Sequence, residues 1–270
     1  MAEFGFKRNK NYLSGNELKL AEFQKYLAQE TEKNISSLGI IANYGLESCW
    51  RAGSSYLFSS LSDQLWGYPV SFSYQSCDSE EDLELARIEF KKLLQLCTEH
   101  LEYFASLTDW MLELLQKNYQ LEWVLQTERF IFKKELNFSA EIAELQDLKP
   151  ADAEFIFKHS HYQSFTSIPY IKERIAADCS AGIFLDQQLA AWGLTHDDGA
   201  LGFIHVRPEF RQRGFAKLIV KKLIAAKQSM DKKVFLNVEL GNKNARQLFT
   251  GLGFQLDRKI SWAKLLNKSK

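Results

Sequence analysis

A basic turn that contains a glycine is the part of this chain best suited to chemistry. Arg211 and Arg213 flank Gln212, Gly214 follows them, and the turn comes shortly after Pro208. Gly214 has no side chain, so an anion can approach the backbone closely, and the two arginines add charge-assisted hydrogen bonds. The turn predicts an anion site, most naturally for a diphosphate. The alternative is a basic surface turn that binds nothing.

The residues on either side of this turn predict the elements that would position it. Leu201–Val206 is a mostly apolar run typical of a strand. From Gly214 to about Ser229 the apolar side chains recur at helical spacing, with most lysines elsewhere on the helical wheel. The first amides of such a helix have no partners within the helix, and the helix dipole favours an anion there.

A second strand and helix are predicted shortly after the first pair. Val234–Leu240 is another apolar run. Asn242 or Asn244 can cap the helix that follows, because a short polar side chain can accept a hydrogen bond from a first-turn amide. Gly251 and Gly253 can end that helix and let the chain turn into a further strand.

These two segments resemble the two sequence signatures of the GNAT superfamily of N-acetyltransferases. The first is Arg-x-x-Gly-x-Ala at residues 211–216, and the second is Asn-x-x-Ala-x-x-Leu-Phe-x-x-x-Gly-Phe at residues 242–254. The resemblance covers about residues 138–270, and it implies acetyl-coenzyme A, or another acyl-coenzyme A, as co-substrate. The residues that it implies as contacts for this co-substrate are Ile204, His205, Val206, Arg211, Gln212, Arg213, Gly214, Phe215, Ala216, Asn242, Ala245 and Phe249.

Within that superfamily the chain is most similar to the glycine N-acyltransferase-like group. The similarity lies in residues 191–194 (Ala-Trp-Gly-Leu), in Gly199 and in the run from Pro208 to Gly214. That group also carries an N-terminal extension, as this chain does. The resemblance does not by itself assign glycine as the acceptor.

The second half, residues 138–270, is expected to form a mixed α/β sheet with the GNAT fold and helices on both faces. Its predicted strands are Phe138–Leu145, Ala181–Leu185, Gln188–Thr195, Leu201–Val206, Val234–Leu240 and Ile260–Leu266. A helix is expected to open at Lys149–Asp152, and another is expected over Ile168–Asp178.

The first half, residues 1–137, is expected to be a separate α/β domain without catalytic residues. Its predicted helices are Glu17–Glu30, one that begins at Ser79, and Phe104–Tyr119. Its predicted strands are Tyr56–Ser60 and Tyr68–Tyr74, and Leu121–Lys134 is predicted to be a strand or a hairpin. This order fits a degenerate copy of the same fold that lacks a diphosphate loop. Such a domain could shape the acceptor pocket or an interface, or it could be a structural cap with no substrate contact. The junction at Glu135–Ala140 is not rich in Gly, Pro or Ser, so the halves can pack as one body.

Acyl transfer from a thioester to an amine needs a base, donors for the thioester oxygen and a proton for the leaving thiolate. A backbone N–H near Val206 is suited to the oxygen. The resemblance implies a glutamate base where this chain has Ala200, and a tyrosine acid where it has Phe249. The substitute candidates for catalysis are His205 on the central strand and Glu239 at the end of the next strand, each weighed against an ordinary structural role.

Five further residues carry reactive groups but also have a simpler interpretation as structural or solvated residues. Tyr162 and Tyr170 fall where an acceptor-side loop is expected and could donate protons, although packing is the simpler role. His196 and Asp198 fall in a turn and are expected to be solvated. Cys179 has no base beside it in the sequence, so we expect it to be structural.

The composition argues against several kinds of partner. Lys plus Arg and Asp plus Glu number 34 each, so the net charge is zero and gives no support to a nucleic-acid partner. No apolar run has membrane-spanning length, residues 1–10 do not form a signal peptide, and no metal-ligand spacing occurs. Four widely spaced cysteines fit free thiols, which predicts a cytoplasmic protein. We expect the protein to be a monomer or a homodimer.

Three functional hypotheses remain open at this point. The favoured one is a coenzyme A-dependent N-acyltransferase, in which a small-molecule amine or amino acid attacks the acyl group directly in a ternary complex. The second is a coenzyme A-binding module with little or no turnover, as Ala200 and Phe249 suggest. The third is an acetyltransferase for a protein amino group, with the first half as the docking surface.

Overall fold

The computed structural model describes residues 20–60, 69–73, 79–97, 101–136, 145–160 and 162–266. In this part of the chain ten strands form one mixed sheet. The strands are β1 (Ser48–Ala52), β2 (Ser55–Ser59), β3 (Pro69–Ser73), β4 (Tyr103–Leu107), β5 (Leu121–Phe132), β6 (Ser180–Leu185), β7 (Gln188–Thr195), β8 (Leu201–Val206), β9 (Val234–Glu239) and β10 (Gln255–Leu265). The helices are α1 (Leu20–Ala28), α2 (Ile35–Tyr44), α3 (Glu80–Leu96), α4 (Asp109–Asn118), α5 (Ala153–Lys158), α6 (Ile168–Ala177), α7 (Phe215–Ser229) and α8 (Lys243–Leu252).

The order of these elements repeats once along the chain. From α1 to β5 it is two helices, three strands, a helix, a strand, a helix and a strand, and the same order runs from α5 to β10. In each half the three consecutive strands pair antiparallel, and the third pairs parallel with the fourth. The expectation of a mixed α/β fold whose first half is a degenerate copy of the second is therefore confirmed.

The two copies exchange their last strands. The order across the sheet is β1-β2-β3-β4-β10-β5-β9-β8-β7-β6. β5, the last strand of the first copy, pairs with β9 of the second through residues 127–132 and with β10 along nearly its whole length. β10 in turn pairs with β4 of the first copy. The sheet is thus continuous through both halves.

Helix α7 packs its apolar face into the core of the second half. Ile219, Val220 and Leu223 are completely buried there. Lys227 is also buried, and its Nζ lies 2.6 Å from the Asp178 carboxylate. Burial alone would raise the pKa of Asp178, but the hydrogen bond and charge of Lys227 outweigh it and hold that pKa below its usual value. This ion pair fixes the end of the helix whose start forms the predicted anion site.

The predicted elements around the basic turn are confirmed. β8, α7, β9 and α8 begin and end within a few residues of their predicted bounds. The Asn242 side chain caps α8 by accepting a hydrogen bond from the Ala245 amide, and Gly253 ends that helix at φ 100°. The predicted strand Phe138–Leu145 lies outside the described residues except for its last residue.

The first half contains two departures from the predictions. The predicted helix Phe104–Tyr119 is wrong at its start, because residues 103–107 form β4 and only Asp109–Asn118 is helical. β4 pairs with β10, about 150 residues away, so a distant partner overrides the local pattern. Helix α2 and strand β1 were not predicted at all. The sequence of α2 (ISSLGIIANY) mixes β-branched residues with Gly39, which are weak helix formers.

Candidate functional site

The basic turn has the backbone geometry that an anion site needs. Gly214 stands immediately before α7 at φ 78°, in the left-handed region, and no atom lies within 4 Å of where its Cβ would be. Gln212, at φ 63°, is also left-handed. Within the described residues, no side chain caps the first amides of α7. The start of this helix therefore offers amide donors beside an open glycine.

The equivalent helix of the first copy is built differently. Helix α3 is capped by Ser79, whose hydroxyl accepts a hydrogen bond from the Asp82 amide. Its first turn also carries three carboxylates, on Glu80, Glu81 and Asp82. Because the cap occupies one first-turn amide and the carboxylates add negative charge, this helix start disfavours an anion. Of the two equivalent helix starts, the one at α7 is therefore the one suited to an anion.

A gap between two parallel strands opens beside the turn. The pairing described between β8 and β9 is limited to Leu201 and Leu236. Phe203, at φ 53°, lies where the register between β7 and β8 shifts, which marks a bulge in β8. Gly193 faces this bulge, where a Cβ would come within 2.7 Å of side-chain atoms of Ile204 and Ile219. The bulge and this close packing let β8 diverge from β9.

The backbone of β8 directs an amide into this gap. The Arg207 amide donates to the Ala190 carbonyl of β7. Amides of successive strand residues point to opposite sides, so the Val206 N–H points away from β7 and towards β9. Val206 was predicted to supply a donor for a thioester oxygen, and its amide has the direction for that role.

A cavity of about 890 Å³ joins the gap to the turn. Its walls come from both halves of the chain. The predicted site residues that line it are Ile204, His205, Val206, Arg211, Gln212, Gly214, Phe215, Ala216, Glu239, Asn242, Ala245 and Phe249. Arg213 is the predicted site residue outside this lining, and its guanidinium lies 5.5 Å from the ring centroid of Phe210.

The two candidate bases have different surroundings. The His205 ring stacks on Trp192, with centroids 4.4 Å apart and planes at 19°, and its Nε2 is shielded from solvent. Glu239 lies in the cavity wall close to Tyr162. Burial, together with that carboxylate, raises the pKa of Tyr162 to about 12. Glu239 and Tyr162 thus form a coupled carboxylate and phenol in the cavity wall.

Neither of the two positions where the resemblance implies an acid or a base carries one. Ala200 is completely buried and carries no titratable group. Phe249 is buried against Phe254, with ring centroids 5.7 Å apart, and offers no hydroxyl. Any proton transfer in this site would therefore have to use other side chains or water.

The expectation that His196 and Asp198 are solvated is wrong. Asp198 is 7% exposed, its carboxylate accepts a hydrogen bond from the Ala200 amide, and both residues line the cavity. Burial lowers the pKa of His196 and raises that of Asp198, because it disfavours the charged form of each. Helix α2 causes this burial, since Gly39 packs directly against the Asp198 backbone.

The remaining candidates fall into structural roles. Tyr170 is completely buried, and its hydroxyl accepts a hydrogen bond from the Asp197 amide at 3.1 Å. Burial raises the pKa of Cys179 to about 12, so it is a thiol and not a nucleophile at neutral pH. The described residues contain no cluster of three or more side chains suited to a metal ion. None of the described helices is long and apolar enough to cross a membrane.

Comparison with known proteins gives the fold a name. The sequence profile described as FR47-like protein matches residues 180–263, which include the basic turn and the second signature. A Drosophila protein of known structure superposes with a TM-score of 0.64 at 15% identity, over 93% of this chain and 91% of its own. A GCN5-related N-acetyltransferase-like protein from Streptococcus suis gives 0.55 at 13% identity, over 92% of this chain and 100% of its own. This is the GNAT fold.

The paired arrangement of two GNAT units also has a known counterpart. A tandem GNAT protein from the clavulanic acid biosynthesis pathway superposes with a TM-score of 0.50 at 13% identity, over 93% of this chain and 96% of its own. At these identities the likeness establishes the fold. No curated protein sequence matches the chain significantly. The narrower similarity to the glycine N-acyltransferase-like group stays a prediction.

Proposed function

We propose that the chain is a coenzyme A-dependent N-acyltransferase that transfers an acyl group to a small-molecule amine or amino acid. Acetyl is the first acyl group to test. One observation carries the proposal: the uncapped start of α7, with Gly214 at φ 78°, opens into the cavity at the gap between β8 and β9. An anion held at the turn would leave the rest of a long cofactor free to enter that gap.

The residues present fit acetyl-coenzyme A. Gly214 leaves open space at the backbone, Arg211 supplies a cation beside it, and the first-turn amides of α7 are free of a side-chain cap. When bound, acetyl-coenzyme A supplies an acyl group activated as a thioester. The Val206 amide, directed into the gap, can stabilise negative charge on an oxygen there.

The side chains suited to proton movement are Glu239 and Tyr162. A carboxylate in the cavity wall, such as that of Glu239, can take a proton from an incoming amine, directly or through a water. The phenol of Tyr162, with its pKa raised to about 12, is protonated at neutral pH and can give a proton to a leaving group. His205 is the second candidate for the base.

A small acceptor is supported by the walls of the cavity. Residues of α2, β4 and β5 from the first half line it together with β8 and β9 from the second. A site walled by both halves suits a small molecule better than a protein segment, which needs an open groove. We therefore rank a protein acceptor below a small amine.

A second candidate function is a coenzyme A-binding module without turnover. The observations that favour it are Ala200 and Phe249, both buried and both without a titratable group at the positions that the resemblance links to catalysis. Under this alternative the turn and α7 keep their role, and only acyl transfer is lost.

Calorimetric titration with acetyl-coenzyme A tests the cofactor site. Gly214→Asp places a carboxylate where the anion would bind, and we expect at least a tenfold loss of affinity, or about 1.4 kcal/mol. Adding Arg213→Ala should weaken binding further by removing a nearby cation.

Gly45→Asp is the matched control. Gly45 also has φ 78° with no atom within 4 Å of its Cβ position, and its ψ of −176° strains a side chain at least as much as the ψ of 2° at Gly214 does. We expect this control to bind acetyl-coenzyme A as the native chain does. Equal affinity in Gly214→Asp and Gly45→Asp would contradict the proposed site, and a folded native chain that does not bind would exclude the proposed function.

A further inference from the structure

The charges in the cavity wall are divided by sign. Among the described residues that line it, the lysines and arginines are Arg211 and Lys217, both at the turn and first turn of α7. The rest of the described lining carries the carboxylates of Asp197, Asp198 and Glu239. If the proposed function holds, the diphosphate occupies the two cations, and none is left for an acceptor.

Aromatic rings form much of the wall away from the turn. β4 contributes Tyr103 and Phe104, β10 contributes Trp262, and the segment between α5 and α6 contributes Tyr162 and Phe165. Their faces carry partial negative charge and attract cations, while their area favours an apolar ligand. These walls suit an organic cation with an aromatic or aliphatic body.

A hydrogen-bond acceptor also points to a donor on the ligand. Asn237 lines the cavity at β9, and its side-chain oxygen, which is shielded from solvent, accepts no hydrogen bond from the described part of the chain. Buried polar atoms in folded proteins nearly always have a partner. A small rotation of this side chain would present the oxygen to an N–H donor in the cavity, two residues from Glu239 on the same face of the strand.

A carboxylate on the acceptor would meet no lysine or arginine in the described wall away from the turn. The buried guanidinium of Arg174 does not line the cavity, and it contacts Tyr44 and Glu173 instead. A carboxylate brought near Asp198 and Glu239 would be desolvated beside like charges, which is strongly unfavourable. An amino acid, glycine included, brings such a group with its amine.

We infer, on the basis of the proposed function, that the acceptor is a primary amine with an aromatic or aliphatic body and no carboxylate. This inference selects the amine from the two acceptor classes, amine and amino acid, that the proposed function leaves open. It also runs against glycine as the acceptor.

Three ligands that share a phenylethyl body test the inference by calorimetry on the protein saturated with coenzyme A. They are 2-phenylethylamine, L-phenylalanine and 3-phenylpropanoate, with glycine as a fourth ligand. We expect 2-phenylethylamine to bind at least roughly tenfold more tightly than L-phenylalanine, and 3-phenylpropanoate to bind most weakly of the three. Coenzyme A carries no acyl group, so binding is measured without turnover.

L-phenylalanine or glycine binding as tightly as 2-phenylethylamine would overturn the inference, and so would no detectable binding of the amine to the loaded protein. Failure of coenzyme A itself to bind would be seen in the first titration, and it would overturn the proposed function and this inference together. The two failures are therefore distinguishable.

A pair of isosteric variants checks the charge argument. Glu239→Gln removes one carboxylate with little change in shape, and we expect it to weaken 2-phenylethylamine binding about fivefold or more while leaving coenzyme A binding unchanged. Glu154→Gln, an exposed carboxylate outside the cavity, is the control and should change neither affinity. Unchanged amine affinity in Glu239→Gln would contradict the role of this charge.

Discussion

The second half of the chain should not fold without β5. A fragment of residues 138–270 matches the predicted domain division but removes the strand that lies between β9 and β10. A fragment of residues 121–270 keeps that strand and loses only the rest of the first copy. We expect the longer fragment to unfold cooperatively and the shorter one to show no cooperative transition.

The magnitude follows from what β5 buries. Phe130, Ile131 and Phe132 are at most 6% exposed and pack in the core of the second half and beside α2. Burying side chains of this size stabilises a fold by about 1.5 to 3 kcal/mol each, so their loss removes roughly 4 to 9 kcal/mol. A typical domain has a net stability of about 5 to 15 kcal/mol. The shorter fragment also loses the ion pair of Glu128 with Arg246 of α8.

Urea unfolding followed by circular dichroism, with soluble yield as a second measurement, distinguishes the two fragments. The predicted domain division at residue 137 stays a prediction until then. If residues 138–270 unfold cooperatively with the same midpoint as residues 121–270, the argument from the exchanged strand is refuted and the division holds.

Two smaller predictions concern the packing of α7 and of the gap. Lys227→Met leaves the buried Asp178 carboxylate without its 2.6 Å partner but with Lys232 at 3.4 Å, and should cost at most about 3 to 5 kcal/mol in urea unfolding at pH 7. The pKa of Asp178 is lower in the folded state than that of an ordinary aspartate, so the ion pair stabilises the native chain fully above the ordinary pKa. This stabilisation is lost as the pH falls through the folded-state pKa, so the stability difference between the native chain and the variant should shrink in acid. A stability difference that does not vary with pH would contradict this. Gly193→Ala places a methyl group 2.6 Å from Ile219 Cγ2 and should destabilise the fold by about 1 to 3 kcal/mol while weakening acetyl-coenzyme A binding, and an unchanged affinity would show that the bulge does not shape the site.

The site around α7 could be predicted from the sequence because its signals are local. A strand, a basic turn with Gly214 and a helix with its apolar face occupy fewer than thirty consecutive residues. The cap at Asn242 and the stop at Gly253 depend on neighbouring atoms only. Twelve of the thirteen residues chosen as site residues line one cavity as a result, with Arg213 outside it.

The contribution of the first half could not be predicted, because it depends on contacts between distant segments. The burial of Asp198 results from α2, which lies more than 150 residues earlier and whose own sequence is a weak helix signal. The exchange of β5 and β10 cannot be seen in the local sequence, since each strand would show the same hydrophobic pattern whichever copy it paired with. The pair of Tyr162 and Glu239 likewise joins a loop to a strand end that only the fold brings together.

Detection of the acyl product tests the central claim most directly. The chain is incubated with acetyl-coenzyme A and 2-phenylethylamine, and the N-acetylated amine is measured by mass spectrometry against reactions without protein. We predict product in proportion to protein, at least tenfold less with Gly214→Asp, and an unchanged rate with Gly45→Asp. Tight binding of acetyl-coenzyme A with no product from this amine or from a panel of other amines and amino acids would contradict the enzyme and leave the coenzyme A-binding module.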